Sequence, residues 1–577
     1  MFARVLIANR GEIAVRIART CRELGVATVA VYSDADARSR HVEAVDETIH
    51  LPGTAATETY LNLGAILDAA RATGAEALHP GYGFFSESAD AAQSVIDAGV
   101  AWIGPPPDAT RAAGDKVRAR RLATEAGVSV VPGTLHPVGA TGEVHGFGEE
   151  HGYPIAIKAA GGGGGRGLRV ARSPDEVDEA FGSAAREAEA YFGHGDVYLE
   201  RYLERPKHIE VQTLSTEPGQ TMWLGARDCS LQRRHQKLIE ETPPPVFSEV
   251  IPSMGEAAVA VMDACGYVNA GTVEFLVDKD GRFYFLEINA RLQVEHTITE
   301  EVLGVDLVAA QLHIAAGEPV GFAQPDLRSR GHAIQCRINA EDPAKGFAPR
   351  PGRIDAYVEP AGLGVRVDSG YGAGDEVPHA YDSLVAKLIA WAPTRHDARE
   401  RMLRALDEFV IEGIPTTMTA HRTLLESDEF VAGTYTTRTV GREAFAPPTA
   451  PAQPGAPSPD GVGAVLLVEG AAVNLWHPAM AAYASGSNSG RATSATESVT
   501  APMHGTVSRV LVSPGDQLRP GQAVAVLEAM KMETAVPAGV AGTVQGVRVK
   551  EGDVVGAGDV LVEVADRAPR VPDQAPG

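Results

Sequence analysis

Up to about residue 110, short apolar runs alternate with longer segments whose apolar residues recur at helical spacing. RVLIAN is followed by EIAVRIARTCRELG and ATVAVYS, and later by AILDAARATG, ALHPG, SVIDAGV and AWIG. Strands that alternate with helices in this way form βαβ units around a parallel sheet. The pattern therefore predicts an α/β domain at the start of the chain.

Two further blocks follow, one to about residue 330 and one to about residue 446. The first contains the run GGGGGRG and several strand pairs, and the second runs from HAIQCRINAED to the helical DARERMLRALDEFV. Between two alternating apolar runs, Asp280-Gly281 predicts a hairpin with a two-residue type I′ turn. In such a hairpin Glu274 pairs directly with Glu287.

The composition changes at residues 447–500, where PPTAPAQPGAPSPDG and ASGSNSGRATSATES are of low complexity. Such stretches predict a flexible linker, and AVLLVEGAAVNLW between them is compatible with a small hairpin. Beyond the linker, GTVSRVLV at 505 recurs as GTVQGVRV at 542, an offset of 37 residues. Two similar β halves of this length predict a small β sandwich with quasi-twofold symmetry.

Length, charge and cysteine content limit the number of domains, the kinds of partner and the expected compartment. At about 150 residues per domain, 577 residues predict three to five domains. The net charge of −24 argues against nucleic acid or a membrane surface as a partner. The four cysteines are far apart, no apolar run approaches the roughly 20 residues of a membrane span, and the first residues resemble no signal peptide. We therefore expect a cytoplasmic protein with reduced cysteines.

The segment EAMKMET places Lys531 between two methionines at the junction of the two β halves, where a hairpin tip is expected. A lysine at such a tip is accessible to another enzyme, and methionine adds adaptable contact surface. A surface turn would be the simpler explanation. The motif nevertheless resembles the biotinyl carrier domain, in which this lysine carries biotin; the related lipoyl domain lacks the two methionines.

The run IAIKAAGGGGGRGLRV (155–170) offers bare backbone N–H groups that can close over phosphates. Glycine runs are also common in flexible loops. The run is neither a P-loop nor a Rossmann fingerprint, because both spacings are absent. With Lys158 before it and Lys116 upstream, it resembles the lid of the ATP-grasp fold.

Two facing carboxylates, Glu274 and Glu287, would repel each other in a sheet unless a cation lies between them. Mg²⁺ with ATP phosphates would reconcile them, although two solvent-facing acids on an edge would be an alternative. In RLQVEH, three polar residues alternate and would point the same way in an extended segment: Arg291, Gln293 and Glu295. DCSLQRRHQK concentrates positive charge, which fits either an anion site or a solvated face.

In this order, the motifs resemble those of the biotin carboxylase family over residues 1–446 and again at 501–566. The implied fold is a multidomain α/β and α+β protein. Its parts would be a Rossmann-like N-terminal domain (1–114), an ATP-grasp domain (115–330) with a mobile lid (about 130–205), a C-terminal domain (331–446), a linker (447–500), an all-β barrel-sandwich biotinyl domain (501–566) and a tail (567–577). HPGYGFFSE (79–87) would build the N-terminal domain rather than take part in the chemistry.

The resemblance also implies residue roles. ATP would be held by Lys116, Lys158, Gly163, Gly164, Gly165, Glu200, Leu203, His208, Gln232, His235, Glu274 and Glu287. Mg²⁺ or Mn²⁺ would be bound by Glu274, Glu287 and Asn289, and bicarbonate by Lys237, Arg291, Gln293, the Val294 backbone and Glu295. Glu295 would be the general base, Arg337 would stabilise the enolate-like oxygen of biotin, and Lys531 would carry the biotin covalently.

The implied activity is ATP-dependent carboxylation of carrier-bound biotin by bicarbonate through carboxyphosphate. Only DRAPRVPDQAPG follows the carrier domain, so carboxybiotin is expected to serve a separate carboxyltransferase beta subunit that carboxylates acetyl-CoA or propionyl-CoA. Biotin protein ligase would be a further partner, and paired biotin carboxylase domains within a larger hetero-oligomer are expected. Two alternatives remain open at this point: another ATP-grasp ligase with a swinging domain, and a non-catalytic biotin carrier.

Overall fold

A computed structural model describes residues 1–134, 136–159, 168–192, 196–233, 236–441, 445, 463–468, 471–476, 496–502, 505–529, 532–556 and 558–565. The chain divides into two compact units, Met1–Phe445 and Ala446–Gly577. Among the described residues, none of the helices has the length and apolar character needed to cross a bilayer. All four cysteines are free.

The first unit begins with the predicted parallel sheet. Its strands are β1 (Arg4–Ile7), β2 (Ala27–Ser33), β3 (Glu47–Leu51), β4 (Ala77–His79) and β5 (Ala101–Trp102), in the order β3-β2-β1-β4-β5. The accompanying helices are α1 (Gly11–Glu23), α2 (Arg40–Glu43), α3 (Leu63–Thr73), α4 (Ala89–Asp97) and α5 (Pro107–Gly114). Val5, Leu6 and Ile7 are all buried, as expected where helices cover both faces of a parallel sheet.

A smaller subdomain follows, built on a three-stranded antiparallel sheet. It contains α7 (Thr141–His151), β6 (Ile155–Ala159), β7 (Leu168–Ala171), α8 (Val177–Phe192) and β8 (Val197–Arg201). Helix α6 (Lys116–Glu125) precedes it and packs through Ala119 and Ala123 on a different core, which includes Val273 and Phe275. The described strands are ordered β7-β6-β8, and α7 and α8 cover a core that includes Val144, Ile157 and Leu199. Residues 160–167, with the predicted phosphate-binding glycines Gly163, Gly164 and Gly165, lie outside the described residues.

One large antiparallel sheet dominates the rest of the unit. Its strands are β9 (Lys207–Ser215), β10 (Thr221–Arg233), β11 (Gln236–Thr242), β12 (Asn269–Val277), β13 (Phe283–Asn289), β14 (His332–Asn339), β19 (Val365–Ser369) and β21 (Leu384–Ala392). They are ordered β13-β12-β9-β10-β11-β14-β21-β19. Because β11 is hydrogen-bonded to β14, this sheet continues without a break across residue 330, where the sequence predicts a domain boundary.

Short strand pairs and helices complete the unit. The pairs are β15 (Glu341–Asp342) with β16 (Ala348–Pro349), β17 (Gly352–Arg353) with β20 (Glu376–Val377), and β18 (Ala356–Val358) with β22 (Val410–Glu412). The helices are α9 (Ile251–Ala264), α10 (His296–Leu303), α11 (Leu307–Ala315), α12 (Arg395–Glu408), α13 (Met418–Glu426) and α14 (Asp428–Val431). Helix α12 packs on the large sheet through Ala398, Met402 and Ala405.

The hairpin of β12 and β13 pairs Glu274 with Glu287, as predicted, but its turn is not the predicted one. The Asp278 N–H donates to the Arg282 carbonyl at 2.9 Å, and the Gly281 N–H donates to the Asp278 carbonyl at 3.1 Å. With Gly281 at φ +80°, this is a three-residue loop with a glycine bulge. A second irregularity between Glu274 and Phe275 shifts the register by one residue, which restores the predicted pairing.

The second unit contains the predicted hairpin and β sandwich. Its strands are β23 (Gly463–Val468), β24 (Ala471–Trp476), β25 (Thr496–Thr500), β26 (Gly505–Val510), β27 (Gln517–Leu518), β28 (Ala523–Ala529), β29 (Met532–Pro537), β30 (Gly542–Val547), β31 (Val554–Val555) and β32 (Val560–Ala565). Strands β23 and β24 pair antiparallel. The sandwich has the described sheets β25-β32-β30-β27 and β29-β28-β26-β31.

The internal repeat maps onto equivalent strands of the two sheets. Strands β26, β27 and β28 begin 37 residues before β30, β31 and β32, respectively. Their apolar residues meet in one core, where Val507 and Val544 are repeat equivalents and both are buried. Strands β28 and β29 are paired up to Ala529 and Met532. Residues 530–531, which include the predicted biotin site Lys531, lie outside the described residues.

Candidate active site

A cavity of about 700 Å³ lies in the first unit, over the large sheet. Most of the predicted site residues that the structure describes line it: Lys158, Glu200, Leu203, His208, Gln232, Lys237, Glu274, Glu287, Asn289, Arg291, Gln293, Val294 and Arg337. Glu295 contacts two of these residues, Lys237 and Arg337, and Lys116 lies near Glu287. His235 lies outside the described residues.

Six neighbouring strands of the sheet each contribute at least one polar side chain to the cavity. From β13 to β14 across the sheet they are Glu287, Glu274, His208, Gln232, Lys237 and Arg337. Side chains on one face of a sheet are spaced by the distance between strands, about 4.8 Å. The sheet therefore gathers acids, bases and an amide that are far apart in sequence.

Lys237 is the centre of the charged cluster. Its Nζ lies 2.5 Å from Glu210 Oε2, 2.9 Å from Glu274 Oε1 and 2.6 Å from Glu295 Oε1. These three carboxylates are buried, and this ammonium group is the one cation among the described residues that contacts all three of them. Arg227, also fully buried, supports Glu210 from the other side with Nε at 2.6 Å from Oε1.

The cluster continues from Glu295 to Arg337. Arg337 Nη2 donates to Glu295 Oε2 at 2.8 Å, and Arg337 Nε donates to Glu240 Oε1 at 2.6 Å. Gln335 donates to the other oxygen of Glu240 at 3.1 Å. The guanidinium of Arg337 is therefore held in a fixed plane at the wall of the cavity, because each of two carboxylates binds a different one of its nitrogens.

The surroundings keep the key carboxylates ionised. Burial alone would raise the pKa of Glu295, but Lys237, Arg337 and Arg227 hold it well below the usual range. Burial also opposes ionisation of Glu274, whose pKa is nevertheless held well below its usual range by Lys237 and His208. His208 Nε2 lies 2.8 Å from Glu274 Oε2, and this carboxylate raises the pKa of His208 despite burial.

The facing pair Glu274 and Glu287 suits a hard cation. Both carboxylates border the cavity, with Asn289 beside them on the same strand as Glu287. Lys116 Nζ lies 3.6 Å from Glu287 Oε2 and is mostly exposed, so this carboxylate is only weakly held. Two carboxylates and an amide oxygen fit Mg²⁺, which takes few protein oxygens and completes its shell with water and phosphate.

The far end of the cavity is formed by the three-stranded subdomain and the segment that follows it. Lys158 and Arg120 both bind Glu200; Arg120 Nη1 lies 2.6 Å from Oε1. Leu203 and Tyr202 add apolar surface to the same wall. An apolar slot flanked by backbone and a lysine fits a nucleotide base and its phosphates.

The segment after β13 is not the extended strand that its alternating polar residues predicted. Glu295 has φ −86° and ψ 13° and is the N-cap of α10, so the segment turns before Glu295. Arg291 and Gln293 do meet, with Arg291 Nη1 at 3.1 Å from Gln293 Oε1. Glu295 instead joins the site through Lys237 and Arg337.

Several residues of the site have no motif that would reveal them in the sequence. Glu210, Arg227 and Glu240 carry the outer parts of the charged cluster. Glu87 Oε2 lies 3.0 Å from Arg291 Nε. The sequence predicts that residues 79–87 build the N-terminal domain rather than take part in the chemistry, and Glu87 adds to this a contact with a residue that lines the cavity.

Four protein families match the chain in sequence order. Residues 1–110 match "Biotin carboxylase, N-terminal domain", and residues 115–322 match "Carbamoyl-phosphate synthase L chain, ATP binding domain". Residues 335–442 match "Biotin carboxylase C-terminal domain", and residues 497–564 match "Biotin-requiring enzyme".

A curated relative aligns with the chain over nearly its whole length. The biotin-dependent acyl-coenzyme A carboxylase alpha3 subunit of Mycobacterium leprae is 43% identical over 97% of this chain and 98% of its own length. The chain belongs to the biotin-dependent acyl-CoA carboxylase alpha subunits. Its first unit is also similar to the biotin carboxylase of Haemophilus influenzae, at 49% identity over 75% of this chain and 97% of that protein.

Solved structures agree with the biotin carboxylase part of this assignment. The biotin carboxylase domain dimer of Hydrogenobacter thermophilus 2-oxoglutarate carboxylase, in complex with MgADP, ADP and bicarbonate, has a TM-score of 0.70 and 44% identity over 76% of this chain and 97% of that chain. A biotin carboxylase–β,γ-ATP complex from Campylobacter jejuni has a TM-score of 0.71 and 41% identity over 77% of this chain and 99% of that chain.

These findings confirm the predicted fold class and the main activity. This alpha subunit is a biotin carboxylase, which carboxylates biotin with bicarbonate at the expense of ATP, and biotin is its covalent prosthetic group. The alternative of an unrelated ATP-grasp ligase is excluded by the carboxylase match on both sides of the ATP-binding domain.

Proposed function

We propose that the chain carboxylates biotin carried on its own Lys531 and delivers the carboxyl group to a separate carboxyltransferase beta subunit that acts on a short acyl-CoA, acetyl-CoA or propionyl-CoA. The observation that supports the first half of this proposal, the carboxylation of biotin, is a set of contacts made by one ammonium group. Lys237 contacts Glu210, Glu274 and Glu295. It brings the proposed metal–nucleotide ligand Glu274 and the proposed base Glu295 within reach of one anion.

Bicarbonate would enter beside Lys237, Arg291 and Gln293, whose donors all border the cavity. Glu295 would then accept the proton of bicarbonate. In the resting cluster its low pKa makes it a weak base, but an arriving anion competes for Lys237 and raises the proton affinity of the carboxylate. Binding and activation of the base are thus coupled.

The other end of the cavity would bind ATP, with Lys116, Lys158 and His208 facing its phosphates and Glu200 to Leu203 framing its base. Mg²⁺ would be held by Glu274, Glu287 and Asn289, and when bound it offsets charge on the phosphate oxygens. Lys237 lies between the two ends, where charge develops as the γ-phosphoryl group passes to bicarbonate. A fixed cation at this position stabilises the transferring group without reorganising.

Biotin supplies the ureido nitrogen that takes up the carboxyl group. Arg337 would hold the ureido oxygen, since two carboxylates fix its guanidinium at the cavity wall. The three-stranded subdomain would exclude water from the labile carboxyphosphate. Paired biotin carboxylase domains are proposed as well, because the domain from Hydrogenobacter thermophilus is described as a dimer.

Acyl-CoA as the acceptor is supported by the relative from Mycobacterium leprae, which is named an acyl-coenzyme A carboxylase subunit. The native complex, recovered through an affinity tag on this chain, should contain the beta subunit and carboxylate acetyl-CoA or propionyl-CoA in an acyl-CoA panel. Activity on neither, with carboxylation of another class of acceptor, would contradict this part of the proposal.

Lys531→Ala tests the carrier. The variant should lose covalent biotin and acyl-CoA carboxylation in the complex, while carboxylation of free biotin survives because the first unit is unchanged. Lys550→Ala, at an exposed lysine of the same unit, is the matched control and should keep both. Intact-mass analysis of both variants measures the loading, and biotin retained on Lys531→Ala would contradict the assignment.

A further inference from the structure

Two buried side chains that the function above does not use hold the segment that contains Gln293, Val294 and Glu295. His296 Nδ1 lies 2.7 Å from the carbonyl oxygen of Gln293. Lys387 Nζ donates to the carbonyl oxygen of Val294 at 3.2 Å. Both side chains have no exposed surface and neither borders the cavity, whereas Gln293 and Val294 do. Two consecutive carbonyl groups are therefore fixed toward the protein interior.

The geometry of the peptide bond determines the direction in which the N–H groups of this segment point. A trans peptide is planar, and its C=O and N–H point in opposite directions. The carbonyl of Gln293 shares a peptide with the N–H of Val294, and the carbonyl of Val294 shares one with the N–H of Glu295. With both oxygens directed inward, both N–H groups face the side on which Val294 borders the cavity.

Neither of these N–H groups donates to a protein acceptor within the described ranges of the chain. Two successive N–H groups that point the same way form a concave donor pair suited to an oxyanion. An orphaned backbone donor of this kind is costly unless a ligand or water takes it. The pair is therefore open to a ligand or water in the cavity.

We propose that His296 and Lys387 are positioning residues for bicarbonate: they touch no substrate, but they orient the N–H groups of Val294 and Glu295 toward the oxyanion. The inference rests on the proposed function, in which the Val294 backbone binds bicarbonate. It adds Glu295 N–H as a second backbone donor and assigns a role to two side chains that had none.

The protonation state of the His296 imidazole fits this role. To donate to the Gln293 carbonyl the imidazole needs its proton on Nδ1. Burial, together with the positive charges of Lys387, Arg16 and Arg366, holds the pKa of His296 well below the usual range, so the ring is neutral. On its other side, Nε2 lies 3.8 Å from Glu300 Oε2, beyond hydrogen-bond distance.

Lys387 is anchored from two further elements. Its Nζ lies 3.0 Å from Glu12 Oε2 on α1 and 3.8 Å from Asp368 Oδ2 on β19. The buried ammonium charge is thus balanced by carboxylates of both ends of the first unit. The Val294 carbonyl is consequently tied through Lys387 to helix α1 of the N-terminal domain as well as to the large sheet.

His296→Asn and His296→Gln form a matched pair of variants. The amide nitrogen of asparagine can take the place of Nδ1, whereas glutamine places its amide near Nε2. Phosphate release by the full-length, biotinylated chain is measured at varied bicarbonate, with saturating MgATP and free biotin. We expect His296→Gln to raise the KM for bicarbonate at least tenfold and His296→Asn less than threefold, with the KM for ATP within twofold in both.

A purely structural role would lower the unfolding temperature and kcat without separating the two KM values, and asparagine would not rescue it. An unchanged KM for bicarbonate in folded His296→Gln, or equal defects in both variants, overturns the proposal. If wild type shows no bicarbonate-dependent ATP hydrolysis, the proposed function itself fails. If wild type is active and the variants match it, only the positioning role fails.

A measurement on the wild-type chain keeps the proposal testable if a variant does not fold. In ¹⁵N-histidine-labelled protein, one neutral ring with its proton on Nδ1 should persist from pH 6 to pH 9. Absence of any such ring, with all buried histidines protonated on Nε2 or charged, would overturn the assignment.

Discussion

Removal of the charge at Lys237 is expected to destabilise the first unit, because Glu210, Glu274 and Glu295 then remain together without their shared cation. The three contacts of 2.5, 2.9 and 2.6 Å correspond to about 6 kcal/mol each at an effective dielectric constant near 20. Most of this gross attraction offsets desolvation of the charges. Breaking a buried pair by removing one partner costs about 3–5 kcal/mol, so we expect about 4 kcal/mol for Lys237→Met.

The expected loss of unfolding free energy corresponds to a measurable decrease in the melting temperature, Tm. The first unit comprises Met1–Phe445, and at about 2.1 cal/mol/K per residue its unfolding entropy is about 0.9 kcal/mol/K. A loss of about 4 kcal/mol therefore lowers Tm by about 4 °C. Differential scanning calorimetry of the full-length chain measures the shift directly. Lys345→Met, at an exposed lysine 3.8 Å from Asp342, is the control and should shift Tm by less than about 1 °C.

A double variant separates charge balance from simple loss of packing. In Lys237→Met/Glu210→Gln one negative charge leaves with the positive one, so the double variant should be more stable than the sum of the single changes by about 2 kcal/mol or more. Arg227 keeps Gln212 and Thr299 as acceptors in this background. Additive single effects, or a Tm for Lys237→Met within about 1 °C of wild type, would refute the electrostatic reasoning.

Three further predictions concern other parts of the first unit. Glu287→Gln removes a charged oxygen from the proposed metal site and should raise the Mg²⁺ concentration for half-maximal ATP hydrolysis about tenfold. Glu125→Gln, at an exposed glutamate, is the control. A normal rate of Glu287→Gln at ordinary Mg²⁺ would count against the site. Glu87→Gln should raise the KM for bicarbonate about two- to fivefold, since a partly exposed ion pair with Arg291 contributes up to about 1 kcal/mol. The control Asp90→Asn should leave this KM unchanged. A selective loss of ATP affinity in Glu87→Gln would contradict a role of the Glu87–Arg291 pair in bicarbonate binding. Burial opposes ionisation of Glu241, but hydrogen bonds from His332 and Arg395 lower its pKa from 4.5 to about 2. This carboxylate therefore stabilises the fold above pH 4.5 and loses that contribution as the pH falls toward 2. Glu241→Gln should lower the free energy of unfolding by about 3 kcal/mol at pH 7 and by less below pH 4.5. A Tm difference from wild type that does not narrow in acid would contradict this, and Glu376→Gln is the control.

Features that are local or repeated in sequence were predictable. The β sandwich follows from a repeat in which three strands return at the same offset of 37 residues. The pairing of Glu274 with Glu287 was predicted correctly although the turn was wrong, because a bulge beside Glu274 compensates for the longer loop. Turn type depends on backbone angles at Asp278 and Gly281, which alternation of apolar residues does not specify.

Contacts between distant segments were not predictable. Arg337 and Glu240 are 97 residues apart and meet only because their strands are neighbours in the large sheet. The segment from Arg291 to Glu295 alternates like a strand, yet it turns because α10 begins directly after Glu295. Polar alternation marks residues of the proposed site here, and the course of the backbone is decided by the helix that follows.

The unbroken hydrogen-bonded ladder between β11 and β14 has a consequence for how such enzymes can be recombined. Lys237 and Arg337 keep their spacing only while both strands come from compatible sequences, so chimaeras joined near residue 330 would misalign two halves of the proposed catalytic surface. The carrier forms a unit of its own and is the natural piece to exchange between homologues.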